Sequence, residues 1–217
     1  KIMNFKTANK AFEHLYKGIN ENGINFDDTK AIFNCGFYIK KPWKNKIDNV
    51  IRNWRLDYAK SEYNWYLTGN RNINKLGEIY GKIPKIWKKM ADNKGNVNSN
   101  YGWQWERNGQ LFNVLQKLKN KKNTRHAAIT IYDGKEILNY NYDTPCTYAI
   151  QFTIIENKLN MSVYMRSNDL WFGFCNDQYC FSELQKMICN ELKLPMGWYY
   201  HHAHNMHIYN DYLNKKI

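Results

Sequence analysis

Cys146 follows Pro145 and opens the alternating run Thr147-Tyr-Ala-Ile-Gln-Phe152, so it stands at the end of a strand. Arg166 comes fourteen residues beyond Phe152 and begins Arg166-Ser-Asn-Asp-Leu-Trp-Phe-Gly173. A thiolate is a nucleophile, and a nearby guanidinium both favours the thiolate and offers a fork for phosphate. Together they can attack an electron-poor carbon of a phosphorylated substrate. The other cysteines (Cys35, Cys175, Cys180 and Cys189) read as packed hydrophobes. An odd count of five without a CxxC pair argues against a disulfide framework or a four-cysteine zinc site.

Glu62 sits among rings in Glu62-Tyr-Asn-Trp-Tyr-Leu-Thr-Gly69. Burial there would raise its pKa and suit it to proton transfer. His201-His-Ala-His-Asn-Met-His207 has metal-ligating residue types but no cysteine pairing or second-shell pattern, so no metal is expected.

The elements that must position these groups follow from periodicity. Ala8, Ala11, Phe12, Leu15 and Tyr16 give helical spacing over 7–18, and Ala31 to Ile39 reads as a strand. Helices are predicted over 57–68, stopped by Gly69-Asn70, and over 110–119, with a buried strand at 127–132. A hairpin joins 147–155 to 159–166 through a turn near Asn157-Lys158. In its second strand Leu159, Met161, Val163 and Met165 share one face, while Arg166 ends the polar one. A long helix over about 177–193 stops at Leu194-Pro195. Helices mixed with mainly antiparallel strands indicate an α/β or α+β domain.

At 217 residues, 43% hydrophobic and with four prolines, the chain fits one domain over 1–217 without linker or repeat. No apolar run reaches the roughly 18 residues of a membrane helix, and no signal pattern opens the sequence, so a cytoplasmic protein is expected. A net charge of +13 and the run Lys117-Leu-Lys-Asn-Lys-Lys122 invite a nucleic-acid reading. The lysines are spread among many asparagines and isoleucines, however, and the same field would draw an anionic small substrate. A basic nucleic-acid-binding protein stays as the non-enzyme alternative.

The context Pro145-Cys-(x)4-Gln-Phe152, with Arg166-Ser-x-Asp downstream, resembles the thymidylate synthase family, and the likeness runs from about residue 52 to 210. It implies a thymidylate synthase-like fold: a mixed, largely antiparallel sheet flanked by helices, with sheets back to back in a homodimer. It also implies one-carbon transfer from 5,10-methylenetetrahydrofolate to carbon 5 of a pyrimidine nucleotide, with no metal. By the same resemblance Cys146 is the nucleophile, Glu62 orders catalytic water, and Tyr101 of Tyr101-Gly-Trp-Gln-Trp105 joins a proton relay. Arg166 and Ser167 hold phosphate, Gln151 counts with the substrate ligands, Gly173 lets the base lie close to the backbone, and His207 and Tyr209 hold the deoxyribose hydroxyl. Asp169 meets the folate pterin, and Ile86-Trp87 resembles the folate-side aromatic segment, although core packing accounts for Trp87 equally well. Thr124-Arg125-His126 resembles a serine-arginine-arginine segment that reaches the partner subunit's phosphate site, with histidine replacing the second arginine.

Counting without gaps from Gly173, the family's base-reading asparagine falls on Asp177. A carboxamide matches uracil. A carboxylate accepts from cytosine's amino group and favours protonation of its ring nitrogen. The exchange resembles the phage deoxycytidylate hydroxymethylase branch, which implies dCMP as substrate, water addition as the last step, and a host cell's cytoplasm if phage-encoded. The chain ends eight residues after Tyr209, short of the family tail that helps close the site for hydride transfer, which favours water. Asn176 is adjacent, so a shift of one residue would restore a uracil reader, and Asp177 could instead be a helix N-cap. Enzymes acting on dUMP, or a dCMP 5-methyltransferase, are the alternatives.

Overall fold

The computed structural model describes residues 2–216. In chain order the elements are β1 (Met3–Phe5), α1 (Ala8–Asn22), β2 (Ile24–Phe26), β3 (Thr29–Ile39), α2 (Leu56–Leu67), α3 (Ile73–Tyr80), α4 (Lys85–Met90), α5 (Tyr101–Glu106), α6 (Gln110–Asn120), β4 (Ala128–Thr130), β5 (Thr147–Ile155), β6 (Lys158–Asp169), α7 (Gly173–Leu192) and β7 (Met196–Tyr209). The strands form one sheet in the order β1-β3-β7-β6-β5-β4, with β2 beside β3. Pairing is antiparallel except for β1 with β3 and β6 with β7, so the sheet is mixed and largely antiparallel.

Local chemistry accounts for the ends of these elements. Thr7 caps α1, its hydroxyl accepting from the Lys10 amide at 3.3 Å, and Ala8, Ala11, Phe12, Leu15 and Ile19 bury the apolar stripe. Glu156 and Asn157 both take positive φ, 49° and 56°, and make the β5–β6 turn one residue earlier than the sequence suggested. The strand expected over 127–132 is shorter, although Ile131 and Tyr132 still donate to the Tyr148 carbonyl.

The long helix begins at Gly173, four residues before its expected start. Asp169 accepts from the Trp171 amide at 2.9 Å and the Phe172 amide at 3.1 Å, so this carboxylate ties the strand-to-helix turn. Asp177 therefore lies inside α7, and the N-cap reading of it is corrected. On β6 the expected face holds: Leu159, Met161, Val163 and Met165 are fully buried.

The alternation then slips by one residue on neighbouring strands. At the end of β6 the next buried residue is Asn168, followed just past the strand by Leu170, and on β7 burial passes from Ala203 to Met206 and Ile208. Beside them on β3, Asn34 takes φ 54° and is unpaired, with His204 opposite it, between Phe33↔Asn205 and Cys35↔Ala203, so the strand is distorted without a change of register. The slip turns Asn168 towards α7.

Helix α5 meets α2 through Gly102. A Cβ there would fall 1.7 Å from the Tyr66 carbonyl oxygen, which is backbone and cannot step aside. Gly102→Ala should cost about 3 kcal/mol through overpacking, measured by urea unfolding; an unchanged midpoint would refute that contact.

Candidate functional site

Cys146 lies half-buried just before β5. Its carbonyl accepts from the Arg166 amide at 2.7 Å, which fixes the strand end beside it. The Arg166 guanidinium reaches back over the same loop. It donates to the Pro145 carbonyl at 3.0 Å and the Thr144 carbonyl at 2.8 Å, and its Nη2 is 3.7 Å from Sγ. Burial pushes the thiol up to about 11, and Asp177, Asp143 and Asp169 push the same way, while Arg166 pulls it down. At neutral pH without substrate, Cys146 is a thiol held beside a cation rather than a standing thiolate.

Glu62 is buried on α2 and accepts from the Tyr66 hydroxyl at 2.6 Å. Burial raises its pKa, opposed by the Tyr58 and Tyr66 hydroxyls. Tyr58 in turn accepts from Trp87 Nε1 at 2.7 Å. Trp87 is only 8% exposed, edge-on to Trp65 at 5.2 Å, so the structure places it in the core, where it acts on Glu62 through Tyr58. Tyr101 is buried against Phe181 at 5.4 Å, and burial holds its hydroxyl far above the usual tyrosine range, with Asp177 and Cys146 adding to the shift.

Asp177 faces these groups. Its Oδ2 accepts from Asn168 Nδ2 at 2.8 Å. Burial first, then Glu62, pushes its carboxyl up to about 8, while the Asn168 bond opposes. Asn176 points elsewhere: its Oδ1 accepts from Trp54 Nε1 at 2.8 Å. Gly173 makes room for the Asn168–Asp177 pair, since a Cβ there would lie 3.0 Å from Asn168 Nδ2.

Asp169 is raised by burial even though it accepts from its own turn and has His207 nearby. His207 Nδ1 bonds Asn205 Oδ1 at 2.9 Å, and Tyr209 stands edge-on to its ring at 5.4 Å. Ser167 is half-buried beside Arg166. Arg125 and His126 are exposed on the loop before β4 and contact none of these groups. Gln151 Nε2 donates to the Phe152 carbonyl at 3.1 Å rather than to Cys146 or Arg166.

The histidine run is divided by β7. His201 is buried against Phe37 and Phe174, while His204 bonds Asn34 on the adjacent strand at 3.1 Å. No group of three or more potential metal ligands occurs among the described residues, and no described helix is long and apolar enough to cross a membrane.

Sequence reasoning missed Tyr58 and Tyr66, although their positions four residues either side of Glu62 place all three on one helix face. It also missed Asn168, because strict alternation aims that side chain at the other face.

Cys146 and Arg166 thus share one electrostatic neighbourhood with Asp169 and Asp177, and Asp177 with Glu62, and burial raises the pKa of all three carboxyls. The thymidylate synthase family model matches residues 12–216. Over 129 residues the chain is 36% identical to the deoxycytidylate 5-hydroxymethyltransferase of Enterobacteria phage T4, covering 56% of this chain and 51% of that protein. It is 32% identical over 158 residues to the thymidylate synthase of Fusobacterium nucleatum subsp. nucleatum, covering 70% and 56% respectively. With the thymidylate synthase of Buchnera aphidicola subsp. Schizaphis graminum it shares 29% over 218 residues, covering 94% and 80%. The chain spans about half the length of the phage relatives it matches. The match across nearly the whole sequence places the chain in the thymidylate synthase family.

Proposed function

We propose that the protein is a deoxycytidylate 5-hydroxymethyltransferase, moving a one-carbon unit to carbon 5 of dCMP and completing the reaction with water. The observation that carries this is Asp177: its carboxyl lies in the same electrostatic neighbourhood as Cys146, while Asn176, the residue that a one-place shift would make the uracil reader, is held by Trp54. Near neutral pH a carboxyl with a pKa of about 8 keeps its proton in part. It can accept from the cytosine amino group with one oxygen and protonate the ring nitrogen with the other. The phage relatives named as deoxycytidylate enzymes support the same reading.

Arg166 and Ser167 bind the phosphate, joined by Arg125 and His126 from a partner copy. His207 and Tyr209 face the sugar. Cys146 Sγ gives its proton to water and bonds to carbon 6 of the base as the carbon 5–carbon 6 double bond opens, and the displaced electron pair makes carbon 5 nucleophilic. Proton transfer from Asp177 to the ring nitrogen draws that pair. Arg166, 3.7 Å from Sγ, favours the thiolate as it forms.

The residues present suit a reduced folate: Asp169 keeps a carboxyl at the cleft, and Phe172, 44% exposed, offers a flat apolar ring beside it. 5,10-Methylenetetrahydrofolate supplies the one-carbon unit as co-substrate. Glu62, kept protonated more readily by burial, exchanges protons with the departing amine and the entering water. As the amine departs, carbon 5 gives up its hydrogen as a proton to water held in the relay through Tyr101, which leaves the exocyclic carbon doubly bonded. Water then adds to that carbon, its proton passing to Glu62, and the electron pair re-forms the carbon 5–carbon 6 bond as the sulfur–carbon 6 bond breaks and frees Cys146. This chemistry belongs in the cytoplasm, where nucleotide and folate are at hand.

A homodimer completes the site. Phe33, Tyr148 and Tyr164 are 38%, 43% and 39% exposed on or beside the sheet, an aromatic surface suited to a second copy. A second reading, action on dUMP, is favoured by the Buchnera thymidylate synthase, whose match covers 94% of the chain.

The test is a paired incubation with methylenetetrahydrofolate and either dCMP or dUMP, with products weighed by mass spectrometry. A hydroxymethyl mass on dCMP alone is the expected result. A methyl mass on dUMP would replace the reading with thymidylate synthesis, and a methyl mass on dCMP would replace water by hydride.

A further inference from the structure

Asp177 is the inner end of a buried chain of hydrogen bonds. Asn168 Nδ2 donates to its Oδ2 at 2.8 Å, Asn168 Oδ1 meets His201 Nε2 at 3.0 Å, and His201 Nδ1 meets the Tyr199 hydroxyl at 2.8 Å. Asn168, His201 and Tyr199 are 3%, 0% and 0% exposed, so water cannot substitute for any link. The tyrosine hydroxyl has no other partner among the described residues. If it accepted from His201, its own proton would be buried without an acceptor, which is costly. It therefore donates to Nδ1, which puts the imidazole proton on Nε2. Nε2–H donates to the Asn168 carbonyl, and the Asn168 amide then has only its N–H to give Asp177. Every donor points the same way, towards the carboxyl.

We propose that His201, held by Tyr199, is a positioning residue for base choice: through Asn168 it fixes Asp177 Oδ2 as an acceptor and leaves Oδ1 as the atom that carries the proton. A carboxyl so fixed presents one acceptor and one donor in a set order. Cytosine, with its amino donor facing Oδ2 and its bare ring nitrogen facing Oδ1, is complementary. Uracil in the same pose sets a carbonyl against the acceptor and an N–H against the donor. If the chain ran the other way, Oδ2 would give its only proton to Asn168, and Oδ1 would be a bare acceptor that suits the ring N–H of uracil and cannot protonate cytosine. Reversal is blocked at the far end, by one hydroxyl. Phe37, tilted against the His201 ring at 5.3 Å, and Phe174, edge-on to it at 5.2 Å, keep the imidazole from turning.

This inference rests on the cytosine reading of the site, and the test separates the two. The ratio of kcat/KM for dCMP to that for dUMP is measured in the full chain and in Tyr199→Phe, His201→Leu and His201→Gln. The wild-type ratio reads the base assignment. The change between wild type and variant reads the relay, whichever base the wild type prefers. Tyr199→Phe removes a single oxygen and should keep the fold, yet it should shift the ratio at least tenfold. His201→Leu should shift it as far. His201→Gln should recover most of the loss, because its amide can accept from Tyr199 and donate to Asn168. A nitrogen-15 spectrum of the His201 ring should show the proton on Nε2 in wild type. A ratio that moves less than threefold in both Tyr199→Phe and His201→Leu, or a proton found on Nδ1, would overturn the relay.

Discussion

Cys146→Ser should lower turnover of the nucleotide by at least about four orders of magnitude while leaving nucleotide binding within a fewfold of wild type. The reason is the electronic demand of the first step. Only a group able to become a good, reversible nucleophile beside Arg166 can add to carbon 6 and leave again. Serine keeps the size and the neighbours, including the loop carbonyls of Thr144 and Pro145 that Arg166 binds. The loss would therefore fall on kcat and not on KM. Isothermal titration with dCMP, alongside steady-state product formation, separates the two. If the serine variant turned over within a hundredfold of wild type, Cys146 would not be the nucleophile. The thiol's position near 11 adds a second expectation: alkylation of Cys146 by iodoacetamide in the free enzyme should be slow at pH 7 and quicken towards pH 9 and above.

Asp177→Asn should cut dCMP turnover by about a thousandfold, roughly 4 kcal/mol at the transition state. An amide can hydrogen-bond the ring nitrogen but cannot hand it a proton. Activity on dUMP should fall far less or rise, so the preference narrows or reverses. A variant that kept its dCMP rate would remove Asp177 from the chemistry. The same substitution should also change how stability depends on pH. The folded-state value of about 8 lies above the ordinary carboxyl value of 3.8, so between these the folded protein holds a proton that the unfolded chain releases. Stability contributed by the protonated form is complete below about pH 4 and is lost as pH rises towards 8, at up to about 1.4 kcal/mol per unit. In Asp177→Asn this slope should flatten, and thermal melts at pH 5 and pH 8 would show it. An unaltered slope would mean that Glu62 or Asp169 carries the titration instead.

The cysteine strand, the β5–β6 hairpin and the α1 stripe were legible in the sequence because each is a local pattern with one period. The meeting of Cys146 and Arg166 was legible for the same reason, one residue just before β5 and the other near the end of its antiparallel partner β6. β7 was not. Its run Tyr199-Tyr-His-His-Ala-His-Asn-Met-His207 carries rings on both faces of the strand, and the burial phase changes within it, so no period of two stands out. The start of α7 was missed because its turn is tied by Asp169, a residue back in the preceding strand. The choice between Asn176 and Asp177 needed the third dimension. A helix sets adjacent residues about 100° apart, and only the contact with Trp54 reveals which of the two turns away.

The phase slip on β6 and β7 and the distortion beside it on β3 bind the three strands into one inherited unit. Their residues can drift as long as polarity is kept, but their lengths are locked to one another. A one-residue insertion or deletion between Met165 and Asn168 would move Asn168 to the opposite face of the sheet, away from Asp177 and His201, unless its neighbours changed in step. Lineages descended from such a protein can thus be expected to vary their loops freely, to trade bases by exchanging single side chains, and to keep the residue count of these strands unchanged.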